Sequence, residues 1–211
     1  MKAARRVMGV WVIIPVKPLN QAKTRLSQVL SPEERQHLAE TMFRHVLSVV
    51  QHIPQLMGTL VISRDNKALT IAREYGARTV QESGAPELNA ALMRATQVIS
   101  RLNGSAILIL PADLPLIEQE DVQAIIRMGE NEPSVVISTD KHQDGTNAMF
   151  IRPPGLFDYA YGPGSFRRHV DKAHEVGAEV HVYESERLSL DIDMPADLKS
   201  YSELSKGYAS S

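Results

Sequence analysis

The chain of 211 residues contains no cysteine. That removes disulfides, a thiol nucleophile and any cysteine-ligated zinc or iron–sulfur centre. It also lacks an excess of charge: the formal net charge is −2, so no global field draws it to nucleic acid or to an anionic membrane. No apolar run approaches the length of a membrane span. The phosphate-binding pattern G-x-x-x-x-G-K-[ST] is missing, as is G-x-G-x-x-G, which argues against P-loop NTPases and NAD-dependent dehydrogenases. Arg5 and Arg6 precede the apolar Val10–Ile14, but that run is too short for a signal-peptide core and Pro15-Val-Lys17 follows in place of a cleavage site. A cytoplasmic protein without a membrane or nucleic-acid partner is expected. The seven histidines show no metal-ligand spacing; His37 and His45 fall on a helix flank, and all are read as surface residues. With no repeat, linker or low-complexity segment, residues 1–205 read as one domain and 206–211 as a flexible tail.

What is present is an alternation of short aliphatic runs with amphipathic segments, the pattern of an α/β fold. Val10–Pro15, Thr59–Ser63, Arg78–Val80, Ala106–Leu110 and Ser134–Thr139 read as strands. Ser31-Pro32-Glu33-Glu34 opens the first helix with an N-cap serine, a proline at the first position and a capping-box glutamate. Further helices are expected from Asp65 to Tyr75, around Leu88–Ile99 and over Glu118–Met128. After Thr139 the alternation breaks. Thr146–Arg152 and Glu179–Tyr183 look like strands flanking a Gly/Pro-rich loop and a helix over Ser165–Val176. Leu188–Asp193 is expected to be extended, with Pro195 starting a last helix. The fold class is therefore a single-domain, Rossmann-like sheet, mostly parallel at its centre, with a mixed, partly antiparallel second half.

Three constellations carry chemistry. The run Ile107–Leu110 ends at Pro111, and Asp113 stands between Pro111 and Pro115. A strand this apolar belongs at the middle of the sheet, and ligands in such sheets bind beyond the strands' carboxyl ends. In Leu190-Asp-Ile-Asp193, alternation puts Asp191 and Asp193 on one face. If that segment lies beside the central strand, Asp113 and Asp193 can share a magnesium ion, which takes hard oxygen ligands and borrows the rest from phosphates and water. Second, Lys17, Lys23 and Arg25 crowd the loop after the first strand, offering compact positive charge to a polyphosphate. Third, Asp144–Asn147 and Tyr161–Phe166 are small-residue loops. Gly162 and Gly164 permit close backbone approach, and Ser165, opening a helix near Arg167 and Arg168, suits a second phosphate. Each feature alone also has a plain structural reading: a turn-capping Asp113, a solvated basic loop, an aspartate preceding a helix, an ordinary helix start.

Taken in order, these pieces resemble the guanylyltransferases that make the activated phospho-acid for the deazaflavin coenzyme F-420, relatives of the molybdenum-cofactor nucleotidyltransferases. The resemblance runs from about Val10 to Leu198. It rests on Ile14-Pro-Val-Lys17 with Ala22-Lys-Thr-Arg-Leu26, Leu30-Ser-Pro-Glu-Glu-Arg35, Leu110-Pro-Ala-Asp-Leu-Pro-Leu116, Gly145-Thr-Asn-Ala148, Tyr161-Gly-Pro-Gly-Ser-Phe166 and Leu190-Asp-Ile-Asp193. It implies a nucleotidyltransferase fold, GTP and a phosphorylated three-carbon acid as substrates, and a homodimer. It further implies magnesium on Asp113, Asp191 and Asp193, GTP phosphates on Lys17, Lys23 and Arg25, and the acid on Thr146, Gly162 and Ser165. Many members carry Gly-Leu-Asn where this chain has Glu87-Leu-Asn89. Two other readings stand beside this one: a nucleotidyltransferase for a sugar phosphate or molybdopterin, and a non-catalytic GTP-binding module.

Overall fold

The computed structural model describes residues 9–83 and 87–208, the last six of these by backbone alone. Seven strands form one sheet: β1 (Val10–Val16), β2 (Leu56–Ser63), β3 (Arg78–Gln81), β4 (Ala106–Ile109), β5 (Ser134–Thr139), β6 (Thr146–Arg152) and β7 (Glu179–Val182). Their spatial order is β3-β2-β1-β4-β6-β5-β7. Every neighbouring pair is parallel except those of β6, which runs antiparallel to both β4 and β5. The mostly parallel sheet with a mixed second half is thus observed, and β4 lies at its middle with all four residues buried.

Helices α1 (Pro32–Gln51), α2 (Asn66–Glu74), α3 (Leu88–Arg101), α4 (Gln119–Met128) and α5 (Ser165–Glu175) cover the sheet. The period-2 alternation of the strands sorts the core into two layers. Val10, Val12, Ile14, Leu108 and Leu110 pack on one face with α1, α2 and α4. Trp11, Ile13, Ile107 and Ile109 pack on the other with α3 and α5. Local signals act as expected at the first helix: the Ser31 hydroxyl accepts from the Glu34 N–H, and the Glu34 carboxylate accepts from the Ser31 N–H. Among the described residues, no helix is long and apolar enough to cross a membrane.

One segment departs from expectation. Leu188–Asp193 is not a strand: Glu186–Ser189 forms a single helical turn, α6, and 190–194 is irregular chain leading into α7 (Pro195–Tyr208). The Ser185 hydroxyl caps that turn by accepting from the Leu188 N–H. The guanidinium of Arg187 in turn grips Asp121, a fully buried carboxylate of α4, through Nε at 2.8 Å and Nη2 at 3.1 Å. An ion pair that anchors the residue just before the segment to a helix outweighs the weak strand preference of its leucines. The alternation still holds where it matters, because Ile192 is fully buried between the partly exposed Asp191 and Asp193.

Candidate active site

The carboxyl end of the sheet gathers segments from along the whole chain. The loop after β1 is tied to the end of β2. The Ser63 hydroxyl donates to the Val16 carbonyl, and the Asp65 carboxylate accepts from the Leu19 N–H at 2.8 Å. This fixes where the basic residues start. Lys23 then takes a left-handed backbone conformation, φ 54° and ψ 37°, which costs a non-glycine residue about 1–2 kcal/mol. Its side chain is almost wholly buried, and its ammonium lies 2.5 Å from Asp113 Oδ2 and 2.9 Å from Asp193 Oδ1. Burial alone would lower the Lys23 pKa; the two carboxylates outweigh that and raise it. Arg25 is largely exposed and approaches Asp193 at 3.6 Å.

Asp193 is held from below. Asp197, 4 % exposed, accepts from the backbone N–H groups of Asp193 and Met194 and is paired with Lys141. Asn147 of β6 donates to the Leu188 carbonyl at 2.8 Å. The third carboxyl, Asp191, is half-buried. Burial first, then the negative charges of Asp113 and Asp193, push its pKa up to about 6 against the opposing charge of Lys23. The three aspartates expected to act together therefore do share one electrostatic neighbourhood. Among the described residues, however, no three carboxylate or imidazole groups converge into a complete metal ligand set.

Lys17, Lys23, Arg25, Asp113 and Asp193 all line one open cavity of about 510 Å³. Asp191, Thr146, Gly162 and Ser165 are not in its wall. Thr146 nevertheless lies at the same edge of the sheet. The antiparallel register that pairs Ile109 with Met149 carries Thr146 past the end of β4, in the direction in which the chain runs on to Asp113. There Thr146 joins Ser165, 2 % exposed, with the two hydroxyl oxygens 3.2 Å apart. Gly162 and Gly164 have φ of 122° and 69°, conformations that favour glycine. The loop they shape is braced by the Gly164 N–H on Asp144 and by Arg168 on the carbonyls of Ala160 and Pro163. Arg168 is thus engaged in holding the loop, and Arg167 is almost wholly exposed beside Asp171.

The two halves of the site are clasped by Asn89, whose side chain accepts from the Tyr161 N–H at 2.8 Å and donates to its carbonyl at 3.4 Å. Beside it, Glu87 needs no glycine-like freedom. Its φ is −148°, and its carboxylate caps α3 by accepting from the Ala90 N–H.

Two residues were not anticipated. Arg64 lines the cavity with Nε and Nη2 buried and without a hydrogen-bond partner among the described residues. His169 corrects the reading of all histidines as surface groups: it is fully buried, in contact with Thr146 and Ala160. The signal was its spacing, one helical turn after Ser165 on the same face. His45 is a second correction, half-buried with Nε2 2.9 Å from the Ile117 carbonyl.

Comparison with known proteins agrees with this architecture. The chain is 40 % identical to a phosphoenolpyruvate guanylyltransferase of Rubrobacter xylanophilus over 90 % of its own length and 92 % of the relative's. It is 36 % identical to a 2-phospho-L-lactate guanylyltransferase of Methanocaldococcus vulcanius, over 89 % of this chain and 81 % of that one. A solved nucleotidyl transferase from Methanothermobacter shares the fold at a TM-score of 0.65 and 14 % identity, covering 93 % of this chain and 97 % of its own. A family model described as "Guanylyl transferase CofC like" matches residues 10–204. With that match spanning nearly all of its length, the chain belongs to the CofC-like guanylyl transferase family.

Proposed function

We propose that the chain transfers GMP from GTP to the phosphate of a phosphorylated three-carbon acid, releasing diphosphate, in coenzyme F-420 biosynthesis. The observation that carries this is that one end of the sheet carries two polar sites, the first with Asp113 and Asp193 in its wall. One side is the cavity lined by Lys17, Lys23 and Arg25; the other is the loop of Gly162 with the Thr146–Ser165 hydroxyl pair. The curated relatives act, by name, on phosphoenolpyruvate or on 2-phospho-L-lactate. Phosphoenolpyruvate is the first acceptor to try, because the relative that carries its name is 40 % identical. 3-Phospho-D-glycerate differs from both by few atoms and belongs in the same assay.

In the reaction, an oxygen of the acceptor phosphate attacks the α-phosphorus of GTP. A new P–O–P linkage forms, and the bond to the β-phosphate breaks to release diphosphate. The acceptor is already anionic at neutral pH, so no protein nucleophile or strong base is required. What matters is in-line placement and neutralisation of charge. Lys17, Lys23 and Arg25 stabilise the departing diphosphate, and Thr146, Gly162 and Ser165 orient the acceptor.

Magnesium is part of this reading. Asp191 has a raised pKa first because it is half-buried and then because Asp113 and Asp193 surround it with negative charge, of which a lone Lys23 ammonium offsets only part. Such a donor set suits a divalent cation that needs only one or two protein carboxylates. Asp113 and Asp193, with Asp191 beside them, would hold it. Bound there, it supplies Lewis-acid neutralisation of the α-phosphate. The reading is of a cytoplasmic enzyme, and of a homodimer as the family resemblance implies.

Diphosphate release is measured with GTP and magnesium against phosphoenolpyruvate, 2-phospho-L-lactate and 3-phospho-D-glycerate in separate reactions. One acid is expected to give stoichiometric diphosphate. Silence with all three, in protein that binds GTP, overturns the proposal and favours a different acceptor or a GTP-binding module.

A further inference from the structure

His169 is fully buried on α5, one turn beyond Ser165. The backbone N–H of Ala160 donates to its Nε2 at 3.0 Å. An amide N–H cannot accept, so Nε2 carries a lone pair, and the neutral ring holds its single proton on Nδ1. Burial, reinforced by Arg168 and Lys172, lowers the His169 pKa to about 4, which keeps the ring neutral at neutral pH. Nδ1 lies 3.0 Å from Thr146 Oγ1, and that oxygen lies 3.2 Å from Ser165 Oγ.

The polarity of this chain follows from its first link. Nδ1–H is a donor, so Thr146 Oγ1 accepts from it and must send its own proton elsewhere. The Ser165 hydroxyl donates to the same oxygen, so the Thr146 proton goes to the ligand side. The open end of the chain is therefore the Thr146 O–H. We propose that His169 is a positioning residue. Through its Nδ1–H, with the Ser165 hydroxyl donating to the same oxygen, it fixes the direction of the Thr146 hydroxyl, so that this group meets the site as a donor preorganised for an oxyanion of the acceptor. This rests on the reading that Thr146 and Ser165 contact the acceptor, and it adds to that reading the group that sets the direction of the Thr146 hydroxyl. A hydroxyl whose proton is pinned outward needs no reorganisation when phosphate arrives, whereas a free hydroxyl must lose rotational freedom first.

His169 also packs against Tyr161 and Phe157, with ring centroids at 4.8 Å and 6.3 Å, so a merely structural role needs a separate test. Two amide substitutions divide the ring's functions. His169→Asn places an N–H where Nδ1 stood and loses the acceptor for Ala160. His169→Gln keeps an acceptor near Nε2 and loses the donor to Thr146. With GTP and phosphoenolpyruvate, His169→Gln is expected to raise the acceptor KM about tenfold, with GTP KM and kcat within about twofold. His169→Asn is expected to stay within about threefold of wild type, whatever its Tm. Equal KM increases in both variants, tracking their loss of Tm, overturn the proposal.

Thr146→Val separates this inference from the one beneath it. If it leaves the acceptor KM unchanged, the acceptor site itself is misplaced. If it raises KM while His169→Gln does not, only the role of His169 fails. The tautomer has a readout that needs no substrate: ¹⁵N spectra of histidine-labelled protein should show His169 protonated at Nδ1 and bare at Nε2. The reverse assignment overturns the inference directly.

Discussion

Replacing Asp191 by asparagine should make the metal-free protein more stable at neutral pH, and much less so in acid. Asp191 is half-buried next to two other carboxylates, and its pKa is pushed from an ordinary 3.8 to about 6. The folded state therefore holds the Asp191 proton more tightly than the unfolded chain does. That contribution is favourable below the unfolded value and is lost as pH rises through the folded value; above about pH 7 the ionised group destabilises the fold in full. At about 1.4 kcal/mol per pKa unit the gap sets a ceiling near 3 kcal/mol. Solvent reaches part of the group and screens it, which brings the expected gain from Asp191→Asn to about 1–2 kcal/mol. Urea denaturation in EDTA at pH 7.5 and again at pH 4.5 measures it. The variant should gain at pH 7.5, roughly 2–8 °C in Tm for a chain of this size, and keep only about a third of that gain at pH 4.5, between the unfolded and folded values. Magnesium at millimolar concentration should narrow the gap, because a cation bound to the native carboxylates stabilises wild type by mass action. An equal gain at both pH values, or none at pH 7.5, refutes the electrostatic reasoning.

Asp113→Asn should lower the rate of diphosphate release at least about a hundredfold, since Asp113 lies at the end of the central strand and is bonded to Lys23, while circular dichroism and Tm stay close to wild type. A wild-type rate with magnesium present would remove Asp113 from the metal and the chemistry. Arg187→Met should cost about 3–5 kcal/mol in urea denaturation, because the fully buried carboxylate of Asp121 loses the guanidinium that neutralises it. A loss below about 1 kcal/mol would show that Tyr183 and Ser185, which also donate to Asp121, suffice on their own.

Most of the scaffold was legible because its signals are local. Ser134–Thr139 and Thr146–Arg152 are aliphatic runs whose residues are nearly all buried, and the observed strands have those same bounds. Ser31 and Glu34 state their helix start in four residues. The α6 turn was missed because Leu188, Leu190 and Ile192 alternate like a strand, whereas the Ser185 cap and the Arg187–Asp121 pair decide otherwise. The cap is visible in sequence; the pair spans 66 residues and is not. His169 escaped for a related reason. Its partners Thr146 and Ala160 come from β6 and from the loop before α5, and no periodicity joins them. Lys23, Asp113 and Asp193 were each anticipated as charged residues at strand ends, but their direct contact was not. Charge type and position can be read from a sequence; closure of a loop onto a carboxylate is a tertiary event.

Several of the places where local preference is violated lie in the proposed site, although Asn103 and Gln143 also have positive φ and Trp11 also buries an unpaired nitrogen. Lys23 adopts a left-handed backbone that a non-glycine residue avoids, and its ammonium is buried against two carboxylates. Asp191 bears a destabilising negative charge, and Arg64 faces the cavity with two unsatisfied nitrogens among the described residues. Elsewhere the layers follow alternation and capping rules with few exceptions. A sequence under no demand but folding would relieve these strains by common substitutions, such as glycine at position 23 or asparagine at 191. The three that meet at one end of the sheet fit the proposed site for a polyanion and a cation. The arrangement waits with charges that the substrates, not the fold, bring to balance.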